Sequence, residues 1–181
     1  MASELQKPEI VRLVVGMSSD GYIDQTATSN WNSPEDWKHF LEMRDWADSI
    51  VMGRKTYEVN QGKRTIDPDK PRIVMTHQPE EFAHEAQPGL EFSGGTPAQI
   101  LDELMKRGKN RTMIAGGVAI YSAFLDAGLI DEMFITKEPI KLKGSTKMPD
   151  DLTDGFSWLG HHQLNSTGTQ LHKYVKTKWS K

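Results

Sequence analysis

No cysteine occurs among the 181 residues. That excludes disulfides, thiolate catalysis, Cys-ligated zinc and iron–sulfur clusters together. Long apolar runs are missing as well: the longest extend over a few residues, far short of the roughly eighteen that a membrane-crossing helix needs. Neither sign of charge is in surplus, with 22 basic against 25 acidic residues. An electrostatic nucleic-acid binder should carry a basic excess, so no nucleic-acid partner is expected. The opening MASELQKPEI contains no apolar signal segment, and the expected location is cytoplasmic. What remains is the make-up of a folded domain, 36% hydrophobic and 26% charged. Residues 1–9 are polar and expected to be loose, and residues 10–181 are expected to form one domain.

Strand and helix signals alternate along the chain. Residues 10–17 (IVRLVVGM) are a dense β-branched run, long enough for a buried strand and too short for a helix. They lead into the turn Ser18-Ser19-Asp20-Gly21 and a polar stretch to Asn32, a loop of a length that usually carries function. Ser33-Pro34-Glu35-Asp36 starts a helix, with a hydroxyl cap, a proline in the first turn and acids at the positive end. Trp37, Phe40, Leu41 and Ala47 are expected along one face of it. Residues 49–52, 72–76, 91–93, 112–115 and 132–137 read as further short strands. A helix capped by Thr96 ends at Gly108, and another over 118–127 ends at Gly128. From about Gly160 the tail reads as two strands joined at Ser166-Thr167-Gly168. This order predicts an α/β fold with a mainly parallel central sheet, helices on both faces and an antiparallel C-terminal hairpin.

Three junctions and one carboxylate stand out chemically. Met52-Gly53-Arg54-Lys55-Thr56 sets a glycine, two cations and a hydroxyl where a helix start has free amides. That suits a phosphate monoester, and a solvated basic turn would have the same composition. Ala115-Gly116-Gly117-Val118-Ala119-Ile120-Tyr121 puts two glycines between a strand and a helix. A pyrophosphate can touch bare amides there, or a tight turn can pack the helix onto the sheet. Thr76-His77-Gln78-Pro79 opens on the same edge of a parallel sheet, facing an adenosine or only solvent. Asp36 is the carboxylate suited to acid–base work, since burial would raise its pKa while the helix start favours its charge. It reads equally as the completion of the Ser33 cap. The six histidines show no metal-ligand spacing, and no metal is expected.

Taken in order, these segments resemble the dihydrofolate reductase superfamily from Val11 to Lys176, its riboflavin-pathway pyrimidine reductases included. WNSPEDWKHF (31–40) is similar to the Trp-x-x-Pro-x-Asp segment of dihydrofolate reductases. The resemblance makes Asp36 the carboxylate that binds the pterin, Phe40 an apolar wall and Trp31 a neighbour holding an active-site water. VMGRKTYE (51–58) is similar to the segment that grips the 2′-phosphate of NADPH. IAGGVAIY (114–121) is similar to the Gly-Gly junction under the cofactor pyrophosphate, whose peptide is cis in the family. FITKEPIKLKGSTKMPD (134–150) is similar to the strand whose threonine, here Thr136, hydrogen-bonds the active-site carboxylate. The riboflavin branch has its own matches in SSDGYI (18–23), ADSIV (47–51) and GLIDE (128–132).

Two positions depart from dihydrofolate reductases. Lys70 stands where the family carries the arginine for the folate tail, and a lysine cannot form the planar fork. Ser29 stands near the place of the bulky residue that closes over the nicotinamide. Ala115 replaces a glutamate often seen in the riboflavin branch. The resemblance therefore implies a three-layer dihydrofolate reductase-like fold and an NADPH-dependent reductase acting on a C=N bond. Asp36 and Thr136 are its catalytic pair, and Trp31, Phe40 and Lys70 its substrate contacts. Gly53, Arg54, Lys55, Thr56, Thr76, His77, Gly116, Gly117, Val118, Ala119 and Tyr121 are its cofactor contacts. The implied substrate is dihydrofolate, or alternatively a ribosylamino-pyrimidine phosphate whose phosphate meets Lys70, Arg72 or Lys143. A homologue that binds cofactor without turnover is the third reading. Monomer and homodimer both stay open.

Overall fold

The computed structural model describes residues 5–23, 31–60 and 65–177. β1 (Ile10–Ser18) alternates strictly: Val11, Leu13 and Val15 pack on one sheet face, Val14 on the other. α1 (Pro34–Trp46) returns to β2 (Ser49–Gly53), and the short α2 (Arg54–Val59) follows directly. β3 (Arg72–Met75) and β4 (Leu90–Ser93) flank a single 3₁₀ turn at Pro79–Phe82. α3 (Pro97–Lys106), β5 (Arg111–Ile114), α4 (Val118–Asp126) and β6 (Glu132–Glu138) complete the parallel part. β7 (Phe156–Gln163) and β8 (Gln170–Lys176) form the closing hairpin. β7 begins four residues before the expected Gly160. It is an edge strand exposed along most of its length, so no alternating apolar pattern marks its start.

The eight strands run in the order β4-β3-β2-β5-β1-β6-β8-β7. Every pairing from β4 to β6 is parallel, and only β6–β8 and β8–β7 are antiparallel. One core lies under α3 and α4, where Ile100, Leu101, Leu104 and Phe124 meet Leu13, Ile114 and Ile135. The second lies under α1 and α2, where Ala47 and Tyr57 meet Val14, Met52, Met113 and Phe134. The expected three layers are therefore present. Among the described residues no helix is long and apolar enough to cross a membrane.

The Ser-x-Asp-Gly stretch has a physical explanation. The Ser18 hydroxyl donates to Asp20 Oδ1 (2.6 Å), and the Asp20 carboxylate accepts the Leu142 and Lys143 N–H groups (both 3.1 Å). Gly21 turns at φ +86°, and Tyr22 bridges to Lys147. The motif thus fastens the loop after β1 to the loop after β6, at the carboxyl edge of the central strands. The Ser18 hydrogen bond leads the causes that hold the Asp20 carboxyl below its ordinary value.

Candidate functional site

All parallel strands end at one edge, and α1 starts there, the Ser33 N–H donating to Glu138 at the end of β6 (2.7 Å). Ser33 caps the helix, its hydroxyl accepting the Asp36 N–H (3.1 Å), and Pro34 fixes the first turn. This aims Asp36 inward rather than to solvent, and it is only 8% exposed. Asn32 Nδ2 donates to Asp36 Oδ2 (2.7 Å). Burial is the main force raising the Asp36 pKa and the charge of Glu138 adds to it, while Thr136 and Asn32 pull the other way. Thr136 approaches from β6. Its buried hydroxyl lies close enough to act on the carboxylate, though outside full hydrogen-bond geometry.

The sheet makes room for Asp36 through Gly16. In the parallel register Gly16 sits beside Thr136, on the α1 side of the sheet. A Cβ there would lie 2.7 Å from Asn32 Nδ2 and 2.8 Å from Asp36 Oδ2. In sequence this glycine is one more residue of the β1 run. The available signal was its isolation inside a β-branched run, which marks close approach of another group.

The inner face of α1 differs from the expected one. Asp36 and His39 are its buried residues, with Phe40 and Met43 packed partly against the core. Trp37 is 49% exposed and stacks on Phe40 at 5.5 Å with nearly parallel rings. The expected face is inward only in part: Ala47 is buried and Phe40 packs against the core, whereas Asp36 and His39 also turn in and Trp37 turns out. His39, absent from the sequence-derived candidates, is 7% exposed and tilts against Phe134 at 5.6 Å. Burial lowers its pKa, which keeps the ring neutral near pH 7. Trp31 is partly buried just ahead of α1.

The two glycine junctions meet. Gly53 N–H donates to Gly116 O (2.7 Å), joining the end of β2 to the turn after β5. A side chain at Gly53 would strike Ile120 at 2.8 Å, and one at Gly117 would press on Thr56 Oγ1 at 3.4 Å. Gly53 and Gly117 are the N-caps of α2 and α4, and neither helix has a side-chain cap. The first-turn amides of both helices therefore receive no side-chain acceptor. The Gly116–Gly117 peptide is cis, as the family resemblance implies. Val118 is partly buried and Ala119 exposed at this start of α4. Arg54 and Lys55 lie at the rim, Arg54 paired with Glu58 at 2.6 Å. Thr76 and His77 stand on the same edge; the Thr76 hydroxyl accepts the Gln78 N–H (3.3 Å), and His77 is exposed.

Three expected contacts are placed otherwise. Tyr121 does not face a cofactor: it is 3% exposed, its ring lies beneath Gly116, and its hydroxyl donates to Val14 O (2.7 Å). Its hydroxyl is the first polar group of α4's inner face, so β1 claims it. Tyr121→Phe is expected to leave cofactor affinity unchanged and to cost about 1–2 kcal/mol by urea unfolding, because Val14 O loses its buried partner. Lys70 is spent at the far end of α1, where its ammonium donates to Arg44 O (2.8 Å) and Asp45 O (3.4 Å). Lys143 is exposed and its backbone serves Asp20. Arg72, by contrast, is 8% exposed on the α1 side of the sheet, and its Nε has no hydrogen-bond partner. Burial lowers its pKa, with Arg44 adding to the effect and Tyr57 opposing it. Ser29 lies outside the described residues.

Comparison with known proteins decides the family. The dihydrofolate reductase profile matches residues 10–181. The chain belongs to the dihydrofolate reductase family. No curated protein sequence matches it. Among solved structures, a Shewanella sp. PV-4 protein assigned to riboflavin biosynthesis superposes with a TM-score of 0.72 at 25% identity, covering 93% of this chain and 99% of that one. The Enterococcus faecalis dihydrofolate reductase, complexed with NADP(H) and RAB-propyl, superposes at 0.70 with 18% identity, covering 96% of this chain and 100% of that one. The family's two branches are thus both represented among this chain's structural neighbours, as its mixed motifs anticipate.

Proposed function

We propose that the chain is an NADPH-dependent reductase that delivers hydride to a C=N bond, with dihydrofolate as its substrate. The observation that carries this reading is Asp36: a buried carboxylate beside an aromatic wall, with its pKa raised and an orphan hydroxyl next to it. Such a carboxylate can accept two adjacent N–H groups of a pterin, while Phe40 offers an apolar contact to the ring. Asp36 binds and orients the ring, Thr136 steadies the contact, and the carboxyl favours protonation of the imine nitrogen. The starts of α2 and α4, which have no side-chain cap, with Arg54, Lys55 and Thr56 beside them, fit a pyrophosphate and a 2′-phosphate. The dinucleotide supplies the hydride when bound, and the chain supplies position and exclusion of water.

Arg54→Ala tests the cofactor half. NADPH affinity is expected to fall on the order of tenfold, with NADH affinity nearly unchanged, because a charge-assisted contact to the 2′-phosphate is lost. Fluorescence titration of both dinucleotides checks it, and equal losses would remove Arg54 from the phosphate site.

A second reading has one observation in its favour. Lys70 is occupied by α1, whereas Arg72, at the start of β3, is a buried cation with an unsatisfied Nε. That suits a ribosylamino-pyrimidine phosphate. NADPH oxidation followed by absorbance with each substrate separates the two. Turnover with dihydrofolate supports the first reading, turnover with the pyrimidine alone transfers the proposal to the second, and NADPH binding without either leaves a cofactor-binding homologue.

A further inference from the structure

Glu138 ends β6 on the same sheet face as Thr136 and lies opposite Ser18 of β1. It is a carboxylate with 3% exposure. One oxygen accepts the Ser33 N–H (2.7 Å), and the other accepts the Thr169 hydroxyl (2.6 Å). Ser33 is the residue whose own hydroxyl receives the Asp36 N–H. Thr169 is fully buried and is held in turn by Asn165, whose amide donates to Thr169 Oγ1 (2.9 Å) and to Glu35 Oε2 (3.0 Å). The Asn165 side-chain oxygen collects the N–H groups of Thr167, Gly168 and Thr169. A continuous set of hydrogen bonds therefore runs from the hairpin turn between β7 and β8, through Glu138, to the first turn of α1.

We propose that Glu138 is a positioning residue for the reductase reaction, held between Thr169 and Ser33 so that it fixes the first turn of α1 and sets a negative charge behind Asp36. The inference rests on the role given to Asp36 above. The groups around Asp36 are Thr136 and Glu138 from β6, Asn32 before the helix, Glu35 and His39 on α1, and Tyr121 from α4. Among the described residues none of those acting on its carboxylate is a cation. Two nearby carboxylates resist joint ionisation, so the charge on Glu138 keeps a proton on Asp36 to higher pH. A buried carboxylate is costly unless its donors are supplied, and here both oxygens have one.

The test uses the whole chain labelled with ¹³C at the aspartate carboxyls, with the Asp36 signal identified by its loss in Asp36→Asn. Glu138→Gln keeps an acceptor for Ser33 and removes the charge. The Asp36 titration midpoint is expected to fall, because a neighbouring negative charge is removed. The decline of kcat/KM with rising pH is expected to begin about as much lower. An unchanged midpoint in folded Glu138→Gln overturns the electrostatic role. Thr169→Val, which loosens the grip and leaves the charge in place, is expected to lower kcat about threefold at an unchanged midpoint, with Thr169→Ser restoring it. Native kcat in Thr169→Val overturns the mechanical role. A shifted midpoint in a chain that oxidises no NADPH with either substrate upholds the action of Glu138 on Asp36 and defeats the reductase reading instead.

Discussion

Asp36→Asn is expected to cut NADPH-dependent turnover by about 10²–10⁴-fold while making the protein more heat-stable at pH 8. Both effects have one source. Asp36 is 8% exposed, and burial leads the causes that raise its pKa above the ordinary 3.8. Between 3.8 and the raised value, the folded chain binds the proton more tightly than the unfolded chain does. Stability therefore falls as pH rises through that window, and above it the fold carries the full penalty of a buried charge. Asparagine preserves the shape, and its oxygen still accepts from Asn32, yet it carries no charge. The rise in melting temperature should be largest at pH 8, shrink as the pH falls and vanish below about 3.8, where the native carboxyl is neutral in both states. Calorimetry across that range, with NADPH titration as a control for the cofactor half, checks it. Native turnover in Asp36→Asn would reduce Asp36 to a helix-capping residue.

Gly16→Ala is the second large effect. Gly16 lies within a strand and outside the positive-φ region, so the backbone itself tolerates alanine. Strand propensity alone would make the change mildly favourable. The cost comes from above the sheet, where the new methyl meets Asn32 Nδ2 at 2.7 Å and both Asp36 oxygens at 2.8 and 3.1 Å. These are short side chains hydrogen-bonded to each other and held under α1, so they cannot swing away freely. Overpacking of this kind costs roughly 1–3 kcal/mol. A displacement of the carboxylate near 1 Å is worth about a hundredfold in kcat/KM. Urea unfolding and steady-state kinetics read the two quantities. The stability loss should be smaller in an Asp36→Ala background, because the two sites are in contact and their effects cannot add.

Much of the scaffold was legible because its strands and caps obey local rules. The β-branched run of β1, the Ser33 and Thr96 caps and the glycines after α3 and α4 each state their structure within a few residues. The Gly-Gly junction was legible for the same reason, since its chemistry is backbone chemistry. The site itself was legible only in part. Glu138 carries no local signal as an exceptional residue; it becomes one because β6 brings it to Ser33 across 105 positions of sequence. Lys70 and Tyr121 have side-chain types that suit a ligand, and nothing in their neighbours reveals that the end of α1 and the Val14 carbonyl take them first. The face of α1 misled because helical periodicity assumes that apolar means inward, whereas Asp36 and His39 share the buried face and Trp37 is left exposed.

The place of β1 in the sheet also bears on how the protein comes into being. It is synthesised well before β5 and β6, the strands it sits between; the Arg12–Glu132 contact spans 120 residues. A growing chain therefore presents its most apolar strand long before either neighbour exists to pair with it. Contacts so distant in sequence close slowly and leave aggregation-prone surface uncovered meanwhile. The nascent chain must keep residues 10–18 sheltered until β6 has emerged, which ties the yield of folded protein to the pace of translation and to whatever holds unfinished chains apart.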